Sequence, residues 1–216
     1  MPLRKALQTT LKVFLTTPHT STSKKASKYK LVILDFDGTL FDTVEALTCS
    51  FILTFEELIS NHKLDMETLY PPHVKKFREM YALHALELQK PYPSAKELLM
   101  GLKARGIPVA IVSNKVITVL FGAMDRYKLS EYVQSDLIVG DPLYGERRKS
   151  DPVGHTNVLV PYLKNIYWDD WVQKEREILM MGGIVTEFKF ARSIGARLCW
   201  FKFGNRNKAD CEGLPS

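Results

Sequence analysis

The chain has 216 residues, enough for one α/β domain with a small appended unit and short for two full domains. Hydrophobic residues at 45% and charged residues at 25% are ordinary globular usage and exclude a generally disordered or fibrous chain. The net charge of +6 belongs to the first 30 residues, where Arg4, Lys5, Lys12, Lys24, Lys25, Lys28 and Lys30 meet no acid; the other 186 residues hold 23 basic against 24 acidic side chains, which argues against a nucleic-acid-binding face on the folded part.

Within that basic stretch Leu3, Leu7, Leu11 and Phe14 fall at helical spacing. Three readings stay open: a short surface helix followed by a Ser/Thr-rich linker over 1–28 in a cytoplasmic protein, a mitochondrial presequence, and a membrane-surface attachment. No apolar run reaches the ~18 residues that a transmembrane helix needs. Cys49, Cys199 and Cys211 have neither metal-ligand nor redox spacing, so a reducing compartment is expected.

From Tyr29 the texture changes. Leu31-Val32-Ile33-Leu34 predicts a buried strand that delivers Asp35 and Asp37 to its carboxyl end. Residues 43–92 show no strand pattern. They read as helices over 44–61 and 74–88 about a Pro71-Pro72 turn, with Phe51, Phe55 and Leu58 as one apolar stripe. Beyond them, apolar runs at 109–112, 137–139, 178–181 and 197–203 alternate with helical patterns at 93–105, 116–127 and 187–194, the first and last stopping at Gly106 and Gly195. That alternation predicts an α/β fold, a doubly wound parallel sheet over 29–42 and 93–216, with 43–92 as a helical insertion after the first strand. Ligands of such sheets sit at the carboxyl ends of the strands.

Two acids in Asp35-Phe36-Asp37-Gly38-Thr39 stand close together, and Gly38 lets the chain turn away sharply. One carboxylate can attack a phosphoryl group, while its neighbour protonates the leaving oxygen and then activates water. Mg²⁺ suits such oxygen ligands and would screen the phosphate from an anionic nucleophile. Ser113 ends a predicted strand before a predicted helix, where a hydroxyl and helix-start amides can hold an anion. A lone His155 at a helix start reads as a capping or packing residue, and no Walker-type glycine loop or Ser–His–Asp elbow occurs.

The segment Leu34-Asp35-Phe36-Asp37-Gly38-Thr39-Leu40-Phe41-Asp42-Thr43 resembles the first motif of the haloacid dehalogenase-like hydrolases, in particular the phosphatases with a small helical cap, such as phosphoglycolate phosphatases. Val109-Ala110-Ile111-Val112-Ser113-Asn114-Lys115 is similar to the second motif, and Arg148-Lys149-Ser150-Asp151-Pro152 to the third. The resemblance implies Asp35 as nucleophile, Asp37 as general acid/base and Ser113 as a holder of a phosphate oxygen. It implies Lys149, or its neighbour Arg148, as the balancing cation. Gly38, Ser113 and Asn114 would line the substrate, a small phosphorylated molecule, and Asp35, Asp37 and Glu187 would hold Mg²⁺. The last motif departs from the family: in Met181-Gly182-Gly183-Ile184-Val185-Thr186-Glu187, Gly183 stands where a metal-binding aspartate is usual. Asp169 and Asp170 are candidates to stand in. The stretch from Lys149 to Gly183 is long for the family, and its extra residues, about 165–173, hold Tyr167, Trp168 and Trp171. A phosphatase is the leading expectation. A pseudo-enzyme with a disabled metal site and a carbon–halogen hydrolase are the rivals.

Overall fold

A computed structural model describes residues 27–60, 70–141 and 177–200. Residues 1–26, Arg148, Lys149, His155, Asp169, Asp170 and the aromatic stretch 165–173 lie outside them.

Five parallel strands form the central sheet: β1 (Leu31–Leu34), β4 (Val109–Val116), β5 (Ile138–Asp141), β6 (Ile178–Gly182) and β7 (Arg197–Trp200), in the order β5-β4-β1-β6-β7. β1 is central and buried along its whole length. Its side chains alternate between two cores, as a pleated strand requires. Val32 and Leu34 pack with Leu99 and Leu102 of α3 (Ala95–Ala104) and with Leu120 and Met124 of α4 (Ile117–Arg126). Leu31 and Ile33 face Phe190, Ala191 and Ile194 at α5 (Val185–Ser193). Helices thus cover both faces, as the alternating sequence pattern predicts. α3 ends before Gly106, whose φ of +66° costs a glycine little and other residues about 1 kcal/mol.

Two helices stand between β1 and the rest of the sheet in sequence: α1 (Val44–Ser60) and α2 (Tyr70–Leu88). Pro71 and Pro72 lie in the first turn of α2 rather than in a turn ahead of it. A helix's first turn leaves its N–H groups unpaired, so proline loses nothing there. The expectation of no strand over 43–92 is also corrected. β3 (Lys90–Pro91) pairs antiparallel with β2 (Phe41–Asp42), and the Tyr92 N–H donates to the Leu40 carbonyl at 2.9 Å. This ribbon ties together the two points where the chain leaves and re-enters the sheet domain.

The α1 stripe does not pack as its residue types suggest. Phe51 and Phe55 remain 51% and 47% exposed, and of the three expected stripe residues Leu58 alone is buried. The buried face is instead Ala46, Ser50, Thr54 and Leu58. Ser50 Oγ donates to the Ala46 carbonyl at 2.7 Å and Thr54 Oγ1 to the Ser50 carbonyl at 2.6 Å, so the buried hydroxyls are satisfied within the helix. Ala46 joins Tyr81 and Ala85 of α2 in a cluster with Val116 and Val119, which seats the helical pair at the carboxyl end of β4. No described helix is long and apolar enough to cross a membrane.

Candidate active site

The site begins where β1 stops. The Asp35 N–H still donates to the Met181 carbonyl of β6 at 3.0 Å, so its backbone is held in the sheet while its side chain stands at the strand's end. The chain then folds tightly: the Phe36 carbonyl accepts N–H groups from Thr39, Leu40 and Phe41 at 3.4, 3.1 and 3.0 Å. Gly38 takes φ +72°, the left-handed conformation that its lack of Cβ allows. The turn is pinned from inside by Phe36 stacked on Phe41, with ring centroids 4.2 Å apart. Asp35 is nearly buried, and Thr39 Oγ1 donates to its Oδ2 at 3.5 Å.

Ser113 lies on β4, which neighbours β1, two residues beyond Ile111, the partner of Leu34. The strand does not end at Ser113 but runs to Val116, and α4 starts only at Ile117, so Ser113 is not placed at the helix start as the sequence suggests. The reason is an irregular ladder. Val112 pairs with Val139 but Val116 with Asp141, so β4 carries two extra residues between those pairs. Such bulges re-aim side chains beside functional sites. Ser113 Oγ accepts the Lys115 N–H at 3.2 Å and keeps its own hydroxyl hydrogen to donate. Asn114 is exposed on the same bulge.

Lys115, to which the sequence reading gave no role, is the cation of the described site. Its side chain is 3% exposed and its Nζ lies 2.9 Å from Asp37 Oδ1. Burial pushes the ammonium below its ordinary pKa, while the nearby charges of Asp37 and Asp35 pull the other way. A lysine between Asn114 and Val116 in the last residues of a strand is the signal that the sequence offers, and the bulge is what aims it at Asp37.

Gly182 ends β6 and Gly183 follows it, on the other side of Asp35. Gly183 is not among the glycines with positive φ, and its carbonyl accepts Trp200 Nε1–H at 3.3 Å. Glu187 turns back on its own helix. Its Oε2 accepts the Ile184 N–H at 2.5 Å, which satisfies an open donor of the α5 N-terminus, and the residue is fully buried. A Cβ on Gly182 would stand 2.7 Å from that oxygen and 2.6 Å from Glu187 Cγ. Gly182→Ala is therefore expected to push Glu187 off the helix end and cost about 1–3 kcal/mol in chemical denaturation, the scale of overpacking.

Among the described residues no three of His, Cys, Asp and Glu come together as a metal would need. Asp35 and Asp37 share the turn, Gly183 offers no carboxylate and Glu187 is engaged at its helix. The described donors therefore do not complete the carboxylate set that a tightly held Mg²⁺ would use.

The geometry agrees with the comparisons to known proteins. The chain belongs to the haloacid dehalogenase-like hydrolases, whose family model matches residues 29–195. It is 32% identical over 146 residues to a phosphoglycolate phosphatase of Aquifex aeolicus, a match covering 56% of this chain and 65% of that protein. It is 29% identical over 126 residues to the pyrophosphatase PpaX of Halalkalibacterium halodurans, covering 50% and 58%. The chain thus spans less than two thirds of the length of these curated relatives. A haloacid dehalogenase-like family hydrolase of Streptococcus pneumoniae superposes with a TM-score of 0.65 at 17% identity, covering 85% of this chain and 89% of that one. At that identity the likeness speaks to the fold.

Proposed function

We propose that the chain is a phosphatase that hydrolyses a small phosphorylated molecule through an aspartyl-phosphate at Asp35. The observation that carries this reading is the Asp35–Asp37 pair on a tight turn at the carboxyl end of the central strand. A carboxylate oxygen of Asp35 attacks phosphorus as the ester P–O bond breaks, and Asp37 gives its proton to the departing oxygen. Asp37 then takes a proton from water, whose oxygen attacks the same phosphorus, releasing phosphate and restoring Asp35. The Ser113 hydroxyl donates to a phosphoryl oxygen, and Gly38 and Asn114 line the same opening. Lys149 is proposed as the cation that offsets the charge spread over the equatorial oxygens.

The residues 29–42 and 93–216 form the proposed core and 43–92 the proposed cap, whose seat over β4 supports a role in covering the substrate. Turnover of an aryl phosphate with and without added Mg²⁺ tests the reading. Absence of turnover under both conditions, across a panel of phosphate esters, would favour a ligand-binding protein on the same fold, the alternative to which Gly183 points.

Mg²⁺ is the proposed cofactor, held more weakly than a complete carboxylate set would hold it. Gly183→Asp is expected to tighten Mg²⁺ binding about tenfold, within the ~1–3 kcal/mol of a charge-assisted contact. The backbone does not oppose the change, since Gly183 is outside the positive-φ region. Calorimetric titration of both proteins with Mg²⁺ measures it independently of turnover. Equal affinities would show that another acid already fills the place.

A further inference from the structure

Tyr81 and Arg78 lie one turn apart on α2, and both reach the carboxyl ends of strands in the sheet domain. Arg78 Nη2 donates to Asp141 Oδ2 at 2.8 Å, on an aspartate side chain only 1% exposed at the end of β5. Lys115 Nζ donates to the Tyr81 hydroxyl and lies 4.0 Å from the centroid of the Tyr81 ring. The same nitrogen is 5.3 Å from the Phe36 ring centroid and 2.9 Å from Asp37 Oδ1. Burying a lysine is costly unless its charge is compensated, and its four-carbon stem carries about 2 kcal/mol of rotamer entropy. Here two aromatic faces, one hydroxyl and one carboxylate fix the ammonium in a single place. Half of that cage comes from α2.

We infer that Lys115 is a positioning residue that couples the seating of the helical pair to Asp37. With α2 docked, Tyr81 holds the ammonium beside Asp37 and fixes the orientation of its side chain; in its carboxylate form, which pairs with the ammonium, Asp37 is placed for the step in which it takes a proton from water. With α2 lifted, Lys115 loses a hydroxyl and an aromatic face together, and Asp37 loses its fixed partner. Arg78 and Asp141 secure the same docking one turn away. The inference rests on the reading of Asp37 as acid/base, and it adds a reason for the acid/base to be set only while the helical pair covers it.

Two measurements test it. The first is a double-mutant cycle of Tyr81→Phe and Asp37→Asn read by thermal unfolding, run with Lys115 intact and again in Lys115→Met. The two changes should be non-additive by roughly 2–4 °C with Lys115 present and additive without it. The second is steady-state turnover of an aryl phosphate. Tyr81→Phe should lower kcat on the order of tenfold with KM held within about twofold, and Lys115→Arg should retain more turnover than Lys115→Met. Should Lys115→Met fail to fold, Lys115→Arg serves as the background, with a weakened coupling expected. Additive behaviour in the intact background overturns the inference, and so does an unchanged kcat in Tyr81→Phe. Non-additivity in a wild type without phosphatase activity supports the coupling and removes the hydrolysis reading instead.

Discussion

Asp35→Asn is expected to lower phosphatase turnover by on the order of 10³-fold or more while the far-ultraviolet circular dichroism stays unchanged. Asparagine keeps the size of aspartate, and the tie that holds this residue in the sheet, from its N–H to the Met181 carbonyl, is main-chain. The fold therefore has little reason to respond. The chemistry does, because a neutral amide is a poor nucleophile for phosphorus. Asp37→Asn should be nearly as damaging, since it removes the proton donor and leaves the Lys115 ammonium without the carboxylate it touches. Aryl phosphate turnover and circular dichroism on the two variants measure both statements. Near-normal turnover in either would sink the assigned roles.

The second large effect is one of stability. A Cβ at Gly140 would stand 2.8 Å from the Lys115 carbonyl oxygen, 2.9 Å from the Ile117 Cα and 2.8 Å from Leu120 Cδ1. Two of these three are backbone atoms of the bulge and the helix that follows it, so no side-chain rotation relieves the contact. Gly140→Ala is expected to cost about 3 kcal/mol, the upper end of ordinary overpacking. For a chain of this size that is a fall of roughly 6–12 °C in melting temperature. Gly106→Ala provides the contrast. Nothing lies within 4 Å of its Cβ position, but its φ is +66°, so the cost there is conformational and about 1 kcal/mol. Thermal unfolding of the two variants separates them. Equal losses would mean that the space around Gly140 relaxes more readily than its backbone neighbours allow.

Much of the fold was legible because a few signals are local. Four consecutive apolar residues before Asp35 mark a strand buried on both faces, and Gly106 and Gly195 mark helix ends by the positive φ that they adopt. Family membership was legible from the motif around Asp35. Three features escaped because they depend on partners far along the chain. The β2–β3 ribbon is two residues on each side, too short for any periodicity to register. The α1 face is rotated toward Ala46, Ser50 and Thr54 because what it packs against, Tyr81 and Ala85 with Val116 and Val119, accepts small groups; Phe51, with its ring centroid 4.4 Å from that of Phe77, and Phe55 are left half-exposed at the edge. The place of Lys115 follows from two extra residues in one strand relative to its neighbour, which is a property of the pair and not of either strand. The resemblance implies Glu187 as a metal ligand. Its described bond, to the Ile184 N–H, is that of a glutamate at the third position of a helix, where a return to the helix start is equally favoured.

The β2–β3 ribbon has a mechanical consequence. An insertion joined to its host by two separate strings could tilt, twist and slide in any direction. Here the outgoing and returning strings are clasped at Phe41–Pro91 and Asp42–Lys90, with Tyr92 bonded back to Leu40 immediately beside the turn that carries Asp37. That clasp joins the two connections beside Asp37, so a displacement of α2 away from its seat would have to break the Tyr81 and Arg78 contacts while the ribbon still holds the helical pair at its base.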